Sequence, residues 1–265
     1  MDNGLRIHSC QNLEEIRIVS DSLHLEGSWC FLDVDDCLIE TKDPIFHWIN
    51  RTAYKSFKQE CIKDERLFPY IDNLLSFDTA QLMDPGIPNW VQYLQNNCDF
   101  VMSLTAAMSG FFEEGKSDAI TQRHETLCRF GIDFSISSVS NEEVVFKNLG
   151  EKNNAYAMSR DGQVFCNLMN KGIVIYEFLS YSLKTKSIFP SKLLILDDKH
   201  ENLKDIYEAV LLFNSQNNMS ISCFLLHYTE KLNSKRQICS KEDYLKSYYS
   251  YEESAKNCFL RRTKE

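Results

Sequence analysis

The chain has 265 residues, 43% of them hydrophobic and 12% aromatic, with a formal net charge of −9. That is enough apolar material for one sizeable core, with room for an inserted subdomain. No window approaches the ~18 consecutive apolar residues of a membrane span. The acidic balance argues against sequence-independent nucleic-acid binding, which needs clustered Lys and Arg.

The first residues, MDNGLRIHSCQNLEE, lack the basic and apolar regions of a secretory signal, so a cytoplasmic location is expected. None of the ten cysteines forms a CxxC pair, and Cys30, Cys98 and Cys223 fall inside apolar runs. They read as reduced thiols, and no zinc cluster is expected.

In chain order, residues 11–24 read as a helix with apolar positions Leu13, Ile16, Ile18, Val19 and Leu23. SWCFLD (28–33) is a short continuous apolar run suited to a strand buried on both faces. Asp43-Pro44 is an N-cap and N1 pair that opens a helical segment, with Ile45, Ile49, Ala53 and Phe57 on one face. Helical sequence continues to about Leu82, and MDPGIP (83–88) closes it with turn residues. NWVQYLQNN is a short helix leading into a second buried strand at 98–105. A helix at 117–130 follows, then a third strand, GIDFSI (131–136). Asp161-Gly162 marks a hairpin within 155–168. NKGIVIYEFLSYSL (170–183) is helical, and SKLLILDD (191–198) is a fourth strand. A helix at 200–214, a fifth strand at 221–228 and a charged helical tail at 241–258 complete the chain.

Buried strands alternating with helices define an α/β fold with a mostly parallel sheet. Such sheets place their sites beyond the carboxyl ends of the strands. Here those ends carry Asp33, Thr105 and the pair Asp197-Asp198, with Asp35 and Asp36 just after the first strand. At an effective dielectric of ~20, two carboxylates ~4 Å apart repel by about 4 kcal/mol. A divalent cation removes that penalty, and an all-oxygen ligand set completed by water or a phosphate suits Mg²⁺.

FLDVDDCL resembles the first motif of haloacid-dehalogenase-superfamily phosphatases, an apolar strand followed by Asp-x-Asp-x-Thr/Val-Leu. FVMSLT is similar to the second motif, a strand ending in Ser or Thr. NKGIVIYEFL supplies the Lys of the third, and LLILDD matches the acidic fourth. The four occur in order over residues 29–198. The phrases SLTAAMS, FGIDFS and ILDDKHENL are similar to those of a bacterial branch of such proteins.

The resemblance implies a Rossmann-like core built from residues 1–39 and 86–265. It also implies a helical C1-type cap at 40–85 and a hairpin insertion near 143–168. It implies a Mg²⁺-dependent phosphohydrolase in which Asp33 is the nucleophile, ionised at neutral pH from an unperturbed pKa near ~3.9. Asp35 would protonate the leaving group and then accept a proton from water, its backbone carbonyl also meeting the metal. Thr105 and Lys171 would bind and neutralise the phosphoryl oxygens. Of Asp197 and Asp198, one is the direct metal ligand and the other its orienting neighbour, with Asp198 favoured as the ligand. An acid at Asp35 favours ester cleavage over dehalogenation, because a halide leaves without a proton. Cys37 departs from the motif, standing where Thr or Val is usual.

Singly, each element also has an ordinary reading. Asp36 serves as a cap or surface residue, and Asp197-Asp198 as a cap for the following helix. His200 reads as a surface residue, and the aromatic stripe Phe46, Trp48, Tyr54 and Phe57 as core of the insertion. The expected partner is a phosphorylated small molecule or phosphoprotein, with neither membrane nor nucleic acid involved. Two alternatives are a catalytically weak binding protein, such as a secreted bacterial effector gripping a host partner through the C-terminal tail, and a phosphotransferase.

Overall fold

The computed structural model describes residues 6–61, 80–109, 118–152, 155–230, 237–247 and 249. In chain order the strands are β1 (Ile7–Cys10), β2 (Ser28–Leu32), β3 (Ile39–Thr41), β4 (Ala80–Leu82) and β5 (Phe100–Thr105). Then come β6 (Val144–Val145), β7 (Met158–Arg160), β8 (Gln163–Phe165), β9 (Lys192–Asp197) and β10 (Ser222–Tyr228). The α-helices are α1 (Leu13–Asp21), α2 (Arg51–Cys61), α3 (Ile87–Asn97), α4 (Ala119–Arg129), α5 (Lys171–Tyr181) and α6 (His200–Asn217). A further helical stretch covers 241–247.

Eight strands form one sheet in the order β1-β10-β9-β2-β5-β8-β7-β6. The five pairings from β1 to β8 are parallel, and β8-β7 and β7-β6 are antiparallel. All five residues of β2 are buried, and strand alternation sends their side chains to opposite layers. Cys30 and Leu32 join the core under α1 and α3, with Leu13, Ile16, Trp90, Val91 and Leu94. Trp29 and Phe31 join the core under α5 and α6, with Val174, Phe178, Leu203, Ile206 and Phe213. A strand enclosed this way has no polar side to show, which is why 28–33, 98–105, 191–198 and 221–228 announce themselves as continuous apolar runs.

The α/β reading with a mostly parallel sheet therefore holds, with corrections to individual elements. GIDFSI is not a strand. Gly131 has φ +79°, Ser135–Ser137 is a 3-10 turn, and Ile132 and Phe134 pack into the core while Ile136 is 72% exposed. The neighbour of β5 is β8 instead, the second arm of the Asp161-Gly162 hairpin, whose turn residues have φ +51° and +71°. Gly162 is required there: an added Cβ would lie 2.2 Å from the Phe134 carbonyl oxygen.

In the 40–85 segment, β3 and β4 close the base of the insertion as a separate antiparallel pair. Asp43-Pro44 opens a 3-10 turn, with the Ile45 N–H donated to the Asp43 carboxylate, and the α-helix begins at Arg51. The Ile45-to-Phe57 face is not continuous, since Ile49 and Ala53 are exposed. Tyr54 and Phe57 are buried instead against Tyr244 from the start of the C-terminal tail, with ring centroids 6.0 and 5.4 Å away. The expected helix at 62–79 and the tail beyond 249 lie outside the described residues. Among the described residues no helix is long and apolar enough to cross a membrane.

Candidate active site

The three aspartates after β2 are crowded in sequence but diverge in space. The Val34 carbonyl accepts from the N–H groups of Cys37, Leu38 and Ile39, winding a tight turn in which Asp36 takes φ +63°. Aspartate tolerates that left-handed conformation better than most residues. Each carboxylate then meets a different cation. Lys171 Nζ is 2.8 Å from Asp33, Arg123 is 2.9 Å from Asp35, and Arg51 is 3.1 Å from Asp36.

Strand order brings the remaining residues to this rim. β2 lies between β9 and β5, so its carboxyl end is flanked by Asp197-Asp198 on one side and Thr105 on the other. The Asp33 N–H is donated to the Leu196 carbonyl, which fixes the depth of the nucleophile candidate beside the acidic pair. Asp33, Thr105, Lys171, Asp197 and Asp198 are all buried, at 6% exposure or less.

Lys171 is the first residue of α5. Asn170 caps that helix by accepting from the Ile173 N–H, and its amide donates to Asp205 of α6. Gly172 lets the helices close up, since a Cβ there would fall 2.3 Å from the Asp205 carbonyl oxygen. The ammonium is thereby directed inward, bridging Asp33 at 2.8 Å and Asp197 at 2.7 Å. Burial works to lower the Lys171 pKa, but the two carboxylates outweigh it and hold the ammonium well above its ordinary value. Burial pushes Asp33 up to about 7; Lys171 opposes that rise, while Asp197 and Asp35 add to it.

The two members of the acidic pair are separated by their contacts. Asp197 is committed to structure, accepting from Lys171, from both-oxygen contacts with Asn202 at 2.9 and 3.1 Å, and from the Lys199 N–H at the start of α6. The bond to the Lys199 N–H closes a turn ahead of α6 rather than the expected cap, since that helix starts without a side-chain cap. The Asp198 carboxylate instead lies with Asp33 and the Cys37 thiol, ligand atoms of all three being within 4.8 Å of one another.

Mg²⁺ takes oxygen ligands at ~2.0–2.1 Å, so opposite ligands of one ion are about 4 Å apart. Asp33 and Asp198 are thus a short adjustment from a shared cation. Asp33 and Asp197 share the Lys171 ammonium, and Asp198 adds a third buried carboxylate beside Asp33, an excess of negative charge that a dication would suit. The residues fit the group.

Asp35 is the accessible member, its side chain 47% exposed. It accepts from the Thr105 hydroxyl at 3.2 Å, and Thr105 in turn accepts from the Ala107 N–H. Sequence reasoning missed Arg123 and Asn202. Arg123 sits in α4 with 2% exposure, and a lone Arg on an amphipathic helix gives no signal of its inward direction. Asn202 falls within ILDDKHENL but has no motif position. His200 is exposed, as expected, and its ring lies 5.8 Å from that of His227, whose Nε2 is 3.2 Å from the Asp198 carbonyl.

Fold and rim together define an α/β protein with an acidic cluster at the carboxyl edge of a mostly parallel sheet. The chain belongs to the family described as Protein of unknown function (DUF2608), which matches residues 10–256. No curated protein and no solved structure matches the chain.

Proposed function

We propose that this protein is a Mg²⁺-dependent phosphohydrolase of the haloacid-dehalogenase type, working through an aspartyl-phosphate on Asp33. The observation that carries the reading is the meeting of Asp33 and Asp198, from the ends of adjacent strands, with ligand atoms within 4.8 Å of one another and Lys171 Nζ 2.8 Å from the nucleophile. The order of the four motifs along the chain supports the same reading, as does an insertion between the first two that carries α2 (Arg51–Cys61).

Asp33 Oδ1 is held by the Val34 N–H at 2.8 Å and by Lys171, which leaves Oδ2 to attack phosphorus. As that bond forms, the bond from phosphorus to the ester oxygen breaks, and Asp35 gives the leaving oxygen its proton. Water then attacks the phosphorus of the acyl phosphate; Asp35 takes the water's proton, and Asp33 is released with inorganic phosphate. Lys171 offsets the charge on the phosphoryl oxygens throughout. Asp33 and Asp198 would hold Mg²⁺, which supplies positive charge to the phosphoryl oxygens and keeps the Asp33 carboxylate ionised.

Thr105 and Arg123 hold Asp35 from two sides, and its exposure lets it meet a bound ester. The substrate is a phosphate monoester, from a small molecule or a phosphoprotein. Phosphate release from an aryl phosphate with Mg²⁺, lost on chelation and in Asp33→Asn, is the expected result. Turnover in Asp33→Asn equal to the parent would overturn the assignment.

A further inference from the structure

Away from the acidic rim, two thiols meet inside the sheet. Cys30 belongs to β2 and is fully buried, while Cys98 ends α3, leads into β5 and is half-buried. Their Sγ atoms are 3.3 Å apart. A disulfide has its sulfurs ~2.05 Å apart, so closure asks for a relative shift of about 1.3 Å. The elements involved are already neighbours: β2 and β5 pair directly with Cys30 opposite Val101, and the Asp99 N–H is donated to the Ser28 carbonyl. The two sulfurs thus start in contact, on segments that already share backbone pairing.

The two thiols are unequal in access. Solvent reaches Cys98, whereas Cys30 is enclosed in the core beneath α1 and α3. Burial, followed by the neighbouring thiol, raises the Cys30 pKa well above the ordinary range, so Cys30 is a poor first nucleophile. An exposed thiol elsewhere offers a contrast, since Cys128 has the His124 ring nitrogen at 3.6 Å as its neighbour.

We propose that Cys30 and Cys98 are an oxidation site that closes to an intrachain disulfide, with Cys98 the attacking and Cys30 the resolving thiol. With hydrogen peroxide as the oxidant, the Cys98 thiolate attacks one peroxide oxygen and the O–O bond breaks. This gives Cys98 sulfenic acid and a hydroxide that is protonated to water. The Cys30 sulfur then attacks the Cys98 sulfur, its proton passes to the departing oxygen, and a second water leaves. Two thiols are oxidised and one peroxide is reduced to two waters. The bond ties the strand that carries Asp33 to the entrance of the strand that ends in Thr105, at the far edge of the sheet from the rim.

The test treats the full chain with hydrogen peroxide, removes the excess with catalase, unfolds in guanidinium, alkylates and maps the peptides by mass. The expected product is a Cys30–Cys98 cross-linked peptide pair, lighter by two hydrogens, with both thiols missing from the alkylated pool and both restored by dithiothreitol. In Cys30→Ala the same dose takes Cys98 on to sulfinic acid, a gain of two oxygens, because the resolving thiol is gone. Three results in the unaltered protein overturn the proposal, whatever the variant does. They are Cys98 reaching sulfinic acid while Cys30 stays alkylatable, Cys98 linked to a different cysteine, and both thiols intact at a dose that has oxidised Cys128.

Discussion

Replacing Asp33 with Asn in the metal-free protein isolates the cost of burying the nucleophile's charge. Burial raises its pKa from 3.8 to about 7 against the opposing pull of Lys171. The folded state therefore holds this proton more tightly than the unfolded chain does. The stability contributed by protonated Asp33 is complete below pH ~4 and is lost as pH rises toward 7. At about 1.4 kcal/mol per unit, the three-unit rise corresponds to about 4 kcal/mol. Asparagine does not titrate, so the unfolding free energy of Asp33→Asn should gain on the parent by about that amount between pH 4 and 7 and then level off. Urea unfolding followed by tryptophan fluorescence, in EDTA across that range, reads the difference directly. Saturating Mg²⁺ at pH 8 should stabilise the parent much more than the variant. A difference that stays flat from pH 4 to 8, or that turns in favour of the parent, would refute the reasoning.

Lys171→Met leaves the carboxylates of Asp33 and Asp197 without the ammonium 2.8 and 2.7 Å away; it should cost ~3–5 kcal/mol in urea unfolding at neutral pH and abolish turnover. Gly172→Ala drives a Cβ to within 2.3 Å of the Asp205 carbonyl oxygen and should lower stability by ~1–3 kcal/mol by parting α5 from α6; an unchanged midpoint would contradict that contact. Arg123→Met breaks the 2.9 Å pair with Asp35. If Asp35 is the general acid, kcat should fall on the order of 10²-fold for an alkyl phosphate and little for dinitrophenyl phosphate, whose leaving group needs no proton. Equal losses on both esters would assign Arg123 to structure alone.

The central strands were legible because burial on both faces leaves uninterrupted apolar runs, and the turn at Asp161-Gly162 because positive φ demands such residues. β1 was not legible: IHSC is a four-residue edge strand with two exposed positions. GIDFSI misled because Ile132 and Phe134 alternate as in a strand, yet they reach the core from a turn and a 3-10 segment. The three-residue strands β3 and β4 are too short for periodicity to register. Within the site, residues at strand or helix ends were readable from motif order. Arg123 and Asn202 were not, because what places them is the packing of α4 and α6 against the rim rather than any local pattern. The divergence of Asp33, Asp35 and Asp36 toward three separate cations was equally invisible, since it depends on the turn wound around the Val34 carbonyl.

The most direct measurement is acid-quench trapping of phosphate on the enzyme after brief reaction with a ³²P-labelled monoester and Mg²⁺. Label should appear on the peptide containing Asp33, be released by hydroxylamine as expected of an acyl phosphate, and be absent from Asp33→Asn. Turnover of the ester with no such label, or label retained in Asp33→Asn, would contradict attack by Asp33.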